Sequence, residues 1–279
     1  MTVDVEDYFH AEALSECFPR HRWHALEIRV ETNVDRLLAR FADAGIAATF
    51  FILGWVAERY PQMVRRIAEG GHEIASHGYE HRRVDQQCPL EFDEDVRRAK
   101  GILEAVSGQA VAGYRAASFS IGRGDFWAFD VLARAGYRYS SSIYPIRHDN
   151  YGMPEAPRFA FSPTAFEFTE IPVTTTVRFG ANLPAGGGGY FRLLPYRLSR
   201  ANMRRVNRKD RQPCVFYFHP WEIDPGQPRQ RMISRRSRWR HYTNLDAMEG
   251  KLVRLLTDFT WGRMDRVFSA ECKAIGPVT

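Results

Sequence analysis

The chain has 279 residues, 44% hydrophobic and 26% charged, an ordinary balance for a globular protein that can bury a core without disulfides or a structural metal. Its net charge of +6 and pI near 9.2 come largely from arginine-rich stretches at 197–211 and 229–240. These read as a solvated or self-pairing surface; a groove for an anionic polymer is the sharper alternative, and no nucleic-acid-binding motif accompanies the charge. Cys17, Cys88, Cys214 and Cys272 are scattered and form no C-x-x-C pair, which predicts reduced thiols in a reducing compartment. The opening residues are acidic, with no apolar core of a signal peptide, and no stretch is long and apolar enough to cross a bilayer. A cytoplasmic location and no membrane span are therefore expected.

Residues 2–5 form a short β-type run that turns acidic at Glu6 and Asp7. Strand alternation puts Asp4 and Glu6 on one face and Asp7 on the other. Three carboxylates in four residues are costly to bury without a counter-charge, so they are either exposed or gathered round a cation. Residues 33–45 read as a helix capped by Thr32 or Asn33, with an apolar stripe of Val34, Leu37, Leu38 and Phe41 and Gly45 at its end. The apolar run 47–53 suits a parallel strand covered on both faces. Residues 61–69 form the next helix, with proline at its start and Gly70 and Gly71 after its end.

A strand at 73–76 then delivers His77 and His81. Four residues apart, they share one face of a helical turn and can reach one cation; neutral imidazole suits zinc, cobalt, nickel or iron. Residues 89–106 are a longer helix burying Phe92, Val96, Ile102, Leu103 and Val106, with Gly108 beyond it. A strand at 110–114 leads to Arg115, a helix at 125–135 closes at Gly136, and a strand follows at 137–142. This alternation predicts an α/β protein of βα units around a parallel sheet or barrel. Working residues then sit at the C-terminal strand ends, where Asp4, His77, Arg115 and Ser140 fall.

Residues 147–163 are a loop with Pro154, Pro157 and Pro163. Residues 166–173, containing Glu170, are an edge or late strand. The glycine run 186–189 lacks the Lys-Ser/Thr and helix context of a P-loop and reads as a flexible surface loop. A basic helix follows at 194–207. The apolar strand 214–218 ends in His219, at the same barrel end as His77 and His81. Residues 229–242 read as irregular, 245–259 as an amphipathic helix and 264–268 as a last strand.

Four motifs in this order resemble those of polysaccharide deacetylases of the NodB-homology type, carbohydrate esterase family 4. Thr2-Val3-Asp4-Val5-Glu6-Asp7 resembles the acidic first motif. Ser76-His77-Gly78-Tyr79-Glu80-His81 resembles the metal-binding second. Gly113-Tyr114-Arg115-Ala116-Ala117 resembles the arginine-bearing third, and Phe218-His219-Pro220 the last. The Asp-Val-Glu-Asp-Tyr-Phe opening and the stretch from His219 to Leu245 resemble a subgroup encoded beside exosortase-linked exopolysaccharide genes. The resemblance implies a distorted (β/α) barrel of about seven parallel strands over residues 1–225, with a C-terminal extension, 226–279, packed on it.

It further implies a metal-dependent N-deacetylase acting on amino sugars of a polysaccharide, with zinc as the first choice of divalent cation and cobalt or nickel behind it. Asp4 aligns with the general base and Glu6 with the carboxylate ligand beside His77 and His81, with Asp7 as a rival ligand. His219 would be the acid that protonates the departing amine, Arg115 would hold Asp4 ionised, and Tyr144, Tyr190 and Trp221 would line the sugar groove. The chain departs from the family pattern in its first motif, at Ala117 where proline is usual, and in lacking an evident aspartate near Ser140 to orient His219; Glu170 is the candidate in its place. Two other readings compete. One is a metal-free amidase on the same fold, which the intact histidine pair disfavours. The other is a non-catalytic polysaccharide-binding protein with a degenerate site.

Overall fold

The computed structural model describes residues 1–230 and 232–273. Seven short strands carry the architecture: β1 (Thr2–Val5), β2 (Thr49–Ile52), β3 (Glu73–Ser76), β4 (Gly113–Tyr114), β5 (Tyr139–Ser140), β6 (Thr169–Glu170) and, after an antiparallel hairpin of β7 (Thr175–Arg178) and β8 (Ala181–Pro184), β9 (Tyr217–Phe218). They form one parallel sheet in the order β6-β5-β4-β3-β2-β1-β9, curled into a half-barrel. The barrel does not close: β6 and β9 are its two edges. Every residue of β1, β2 and β3 is buried, as expected of parallel strands covered on both faces. The strands are parallel, so the C-terminal ends of β9, β1, β3 and β4, with β2 between β1 and β3, lie along one rim, where Glu6, His77, Arg115 and His219 emerge.

The crossover helices are α1 (Val30–Asp43), α2 (Gly54–Arg59), α3 (Pro61–Glu69), α4 (Pro89–Ser107) and α5 (Trp127–Arg134). Helix α1 starts ahead of the expected Thr32 or Asn33 cap. The reason is a side chain from elsewhere: the Asp7 carboxylate accepts the N–H groups of Arg29 and Val30 at 2.7 and 2.9 Å, doing the work of a local cap. Freed from that role, Asn33 is buried and donates to Asp224.

The second half departs further from the sequence expectations. The glycine run is no surface loop. Gly187 has φ +105° and bridges Tyr217 of β9; a Cβ there would stand 2.1 Å from the Tyr217 carbonyl oxygen. Glycine is required because one backbone lies directly on another. The run leads into α6 (Gly188–Leu193) and then α7 (Tyr196–Arg205). Residues 235–242, expected to be irregular, are helix α8 (Arg235–Tyr242). It has no clear apolar stripe, and long-range contacts from Arg192 hold its C-terminal end. Helix α9 (Leu245–Asp258) matches its expected span closely. The expected strand at 264–268 is helix α10 (Met264–Val267), followed by α11 (Ser269–Lys273). So short a segment, with apolar Met264, Val267 and Phe268 around charged Asp265 and Arg266, fits either state by pattern; here the side chain of Thr49 accepts the Met264 N–H and starts the helix.

Two expectations follow. His72 is buried against Phe50 and Phe41, and its Nδ1 accepts the Ala48 N–H; burial lowers its pKa to about 4. His241 is likewise pushed down by burial, to about 3. The unfolded chain takes up these protons near pH 6.5 and the folded chain does so only at 3–4. Their contribution to stability is therefore complete above pH 6.5 and is lost as pH falls towards 4, on the order of 2 kcal/mol per histidine at pH 5. Urea unfolding at pH 7.5 and pH 5 should show this, and His72→Gln should flatten the slope. Separately, Gly187→Ala should lower stability by at least about 2 kcal/mol in the same assay.

Candidate active site

The rim of the half-barrel is built round one buried guanidinium. Arg115, at the end of β4, is wholly buried. Its Nη1 donates to Asp4 Oδ1 at 2.6 Å and to Thr2 Oγ1 at 2.8 Å, and its Nε and Nη2 donate to the carbonyl and hydroxyl of Ser141, both at 3.0 Å. The Phe51 ring lies 4.1 Å from its central carbon. Asp4 is thereby fixed by a charge-assisted bond in a low-dielectric site. The Arg115 backbone carbonyl also serves His77, whose Nδ1–H donates to it at 2.8 Å. That bond fixes the tautomer and leaves the Nε2 lone pair facing inward.

Glu6 meets it there. The chain turns tightly after β1, with the Glu6 N–H bonded to the Asp4 carbonyl. Glu6 Oε1 lies 2.9 Å from His77 Nε2 and 3.0 Å from His81 Nε2. All three residues are buried, and their ligand atoms lie within 4.8 Å of one another. An inward lone pair on His77 against a carboxylate oxygen is repulsive unless a proton or a cation stands between them. The donor set of two imidazoles and one carboxylate is one that zinc-class ions take. The residues present therefore fit a divalent cation. The His81 and His219 rings also hold the Glu6 carboxyl well below the usual carboxylate range, against the opposing effect of its burial.

The two histidines do not converge on a helical turn. Residues 77–81 form a loop in which Gly78 has φ +76° and His81 φ +53°. The start of α2 clamps it, Gly54 and Trp55 donating to the carbonyls of Gly78 and Tyr79, while Asp95 of α4 accepts the Tyr79 N–H. Asp7 stands outside the group: its Oδ1 accepts the Tyr8 N–H and its Oδ2 those of Arg29 and Val30.

His219 approaches from β9, its Nε2 4.0 Å from Asp4 Oδ2 and 3.9 Å from Glu6 Oε1. Its orienting carboxylate is not Glu170, which instead accepts the Ser140 hydroxyl and the N–H groups of Ser142 and Ile143. Glu222 takes the role, its Oε1 accepting the His219 N–H at 3.1 Å and the Nδ1–H at 2.8 Å. Burial alone would lower the pKa of His219, but Glu6, Glu222 and Asp4 outweigh it and raise it to about 9. Glu222 is in turn held by Arg192 Nε at 2.6 Å, and both are buried. Burial works against its charge, but Arg192 and His219 prevail and bring its pKa down to about 2. Sequence reasoning missed both residues. A signal for Glu222 existed: His219-Pro220-Trp221-Glu222 has proline at the first helical position and glutamate three residues after the cap, the spacing of a capping box.

These groups floor a cavity of about 440 Å³. Tyr190 and Trp221 line it; Tyr144 does not, being buried behind Phe119 and Tyr217. The Trp221 ring is stacked between those of His219 and His241 at 5.1 and 4.3 Å. Trp239 and Arg240 of α8 form a further wall that sequence reasoning did not anticipate.

Residues 25–140 match the family described as polysaccharide deacetylase, and residues 141–269 match one described as a domain of unknown function, DUF3473. His77, His81 and Arg115 fall in the first stretch, His219 and Glu222 in the second, and Asp4 and Glu6 before both. The peptidoglycan deacetylase of Helicobacter pylori is 25% identical over 118 residues, 40% of this chain and 38% of that protein. The chitooligosaccharide deacetylase of a Bradyrhizobium strain is 31% identical over 88 residues, 32% of this chain and 38% of that protein. The matched part thus spans well under half the length of these curated relatives. A crystal structure described as a polysaccharide deacetylase from Mycobacterium smegmatis superposes with a TM-score of 0.64 at 19% identity, covering 100% of this chain and 91% of that one. At that identity the likeness is one of fold.

Truncating one partner of the buried Arg192–Glu222 pair leaves an uncompensated charge. Arg192→Met should therefore lower stability by about 3 kcal/mol or more in urea unfolding at pH 7.5.

Proposed function

We propose that this chain, which carries a polysaccharide deacetylase domain over residues 25–140, is a metal-dependent hydrolase that removes N-acetyl groups from hexosamines of a glycan, with exopolysaccharide as the substrate class. One observation carries the reading. Glu6, His77 and His81 converge at one point, with His219 within 4.0 Å of both Glu6 and Asp4, and Asp4 and His219 are each held by their own buried partner.

An amide resists hydrolysis because water is a weak nucleophile and an amine a poor leaving group. A divalent cation held by Glu6, His77 and His81, zinc in the first instance, would supply a Lewis acid and lower the pKa of water. The rest falls to the chain. Asp4 accepts a proton from the attacking water, and the Arg115 guanidinium holds the Asp4 carboxylate in place. The water oxygen adds to the acetyl carbon, and the carbon–nitrogen bond breaks as His219 Nε2 gives a proton to the nitrogen. Glu222 holds the His219 Nδ1–H, so the Nε2 proton faces the cavity. Products are acetate and a free amino sugar.

The binding-only reading rests on Ala117 and on the missing aspartate beside His219; Glu222 weakens the second of these. The metal-free amidase has no use for the convergence of Glu6, His77 and His81.

The test joins metal content to turnover. Wild-type protein should hold about one zinc-class ion per chain, and the His77→Ala/His81→Ala double variant should hold none. Metal-loaded wild type should release acetate from N-acetylated oligosaccharides. Asp4→Asn should keep its metal and lose on the order of a thousandfold in kcat, in the upper range for a general base with its electrostatic role. Metal-loaded wild type that releases no acetate from any N-acetylated glycan would sink the reading.

A further inference from the structure

The catalytic groups occupy only the floor of the cavity. The rest of its lining includes Ser237, Trp239 and Arg240 of α8 and His148, Asn150 and Tyr151 of the adjoining loop. A volume of about 440 Å³ lies in the size class of sites that enclose whole small-molecule ligands, roughly 300–1,000 Å³. An acetamido group alone needs far less.

Trp239 is the unusual member of that lining. It is 57% exposed, although it lines the same cavity as Asp4, Glu6 and His219. Among the described residues no aromatic ring or cation is stacked on it, whereas Trp23, Trp55 and Trp221 each have ring partners. Beside it, Arg240 Nη1 lies 3.1 Å from both oxygens of Asp149, and this pair is half-exposed. An open indole face next to a solvated Arg–Asp pair matches a pyranose, which has an apolar C–H face and a rim of hydroxyls.

The wall is also fixed in advance. Arg192 donates to the carbonyls of Arg240, His241 and Thr243 at 2.8–2.9 Å. The His241 ring pairs with Gln227 and stacks on Trp221, and the Tyr242 hydroxyl accepts the Gln230 N–H. Because Arg192 also holds Glu222, one guanidinium sets the distance between the wall and the catalytic acid. Such pre-organisation lowers the ordering cost of binding.

We infer that Trp239, with the Arg240–Asp149 pair, forms a subsite for the sugar ring next to the one that is deacetylated. This rests on the deacetylase reading for the identity of its ligand. The occupant is a neighbouring ring of the same N-acetylated chain, because the cavity runs continuously from the reacting groups to Trp239.

The test compares binding of N-acetylglucosamine with that of its β-1,4-linked tetramer by calorimetry, on the full chain loaded with zinc. Wild type should bind the tetramer at least tenfold more tightly than the monomer. Trp239→Ala should reduce that ratio to threefold or less, with the loss falling on the tetramer, and Trp239→Tyr should retain most of it. The exposed position of Trp239 predicts that both variants fold, checked by an unchanged thermal midpoint. The inference is overturned if Trp239→Ala keeps the tenfold ratio, if Trp239→Tyr loses as much as Trp239→Ala, or if wild type shows no preference for the tetramer. An acetate assay run alongside separates the two readings. No acetate from this or any other N-acetylated glycan, with an intact, Trp239-dependent tetramer preference, refutes the deacetylase and leaves the subsite standing. Acetate release without that preference does the reverse.

Discussion

A guanidinium with no exposure to water needs a partner for its donors, and Arg115 finds them on several elements. It reaches Thr2 and Asp4 of β1 and both the backbone and the side chain of Ser141 beyond β5, while its own carbonyl receives His77 from beyond β3. Leaving such a charge unpaired would be costly. The strand order must therefore bring the ends of β1, β3, β4 and β5 to one rim, and the packing of that rim fixes both the Asp4 carboxylate and the His77 ring. Structural satisfaction and chemical positioning are here the same set of bonds.

A second buried guanidinium does for the C-terminal half what Arg115 does for the sheet. Arg192 meets Glu222 on one side and three carbonyls at the end of α8 on the other. Helix α8 has little intrinsic reason to form, with four arginines and one histidine in eight residues. Its docking supplies the reason, since most helical stability in proteins comes from tertiary contacts. The C-terminal stretch thus supports His219 and walls its cavity, and the proposed site is complete only with it. The chemistry does not respect the boundary between the two matched families at residue 140, because His77 and Arg115 lie on one side and His219 and Glu222 on the other.

The sequence made some features legible and hid others for identifiable reasons. Helix α3 and strand β3 fall where proline, glycine and apolar runs put them, because those signals are local. The start of α1 was misplaced because its cap, Asp7, lies 22 residues away from Arg29. The glycine run looked like a flexible loop because nothing local reveals that Tyr217 of β9 lies against it. The expected helical turn at His77 and His81 is a loop. Spacing of four shows that two side chains can meet, and the left-handed residues Gly78 and His81 supply another way to meet.

By itself, the sequence determined the strand–helix rhythm and the parallel sheet, and it placed Asp4, His77, Arg115 and His219 at strand ends on one rim. The His77 and His81 pair follows from its spacing; that Asp4, Arg115 and His219 join it, with Glu6 or Asp7, is what the resemblance of four ordered motifs to polysaccharide deacetylases implied. Only the tertiary structure decided which of Glu6 and Asp7 faces the histidines, that Glu222 rather than Glu170 holds His219, and that Tyr144 is core while Trp239 faces the cavity. Each of those choices turns on which donors and acceptors remain unpaired once distant strands are side by side. That depends on contacts between segments tens to hundreds of residues apart, which no local pattern encodes.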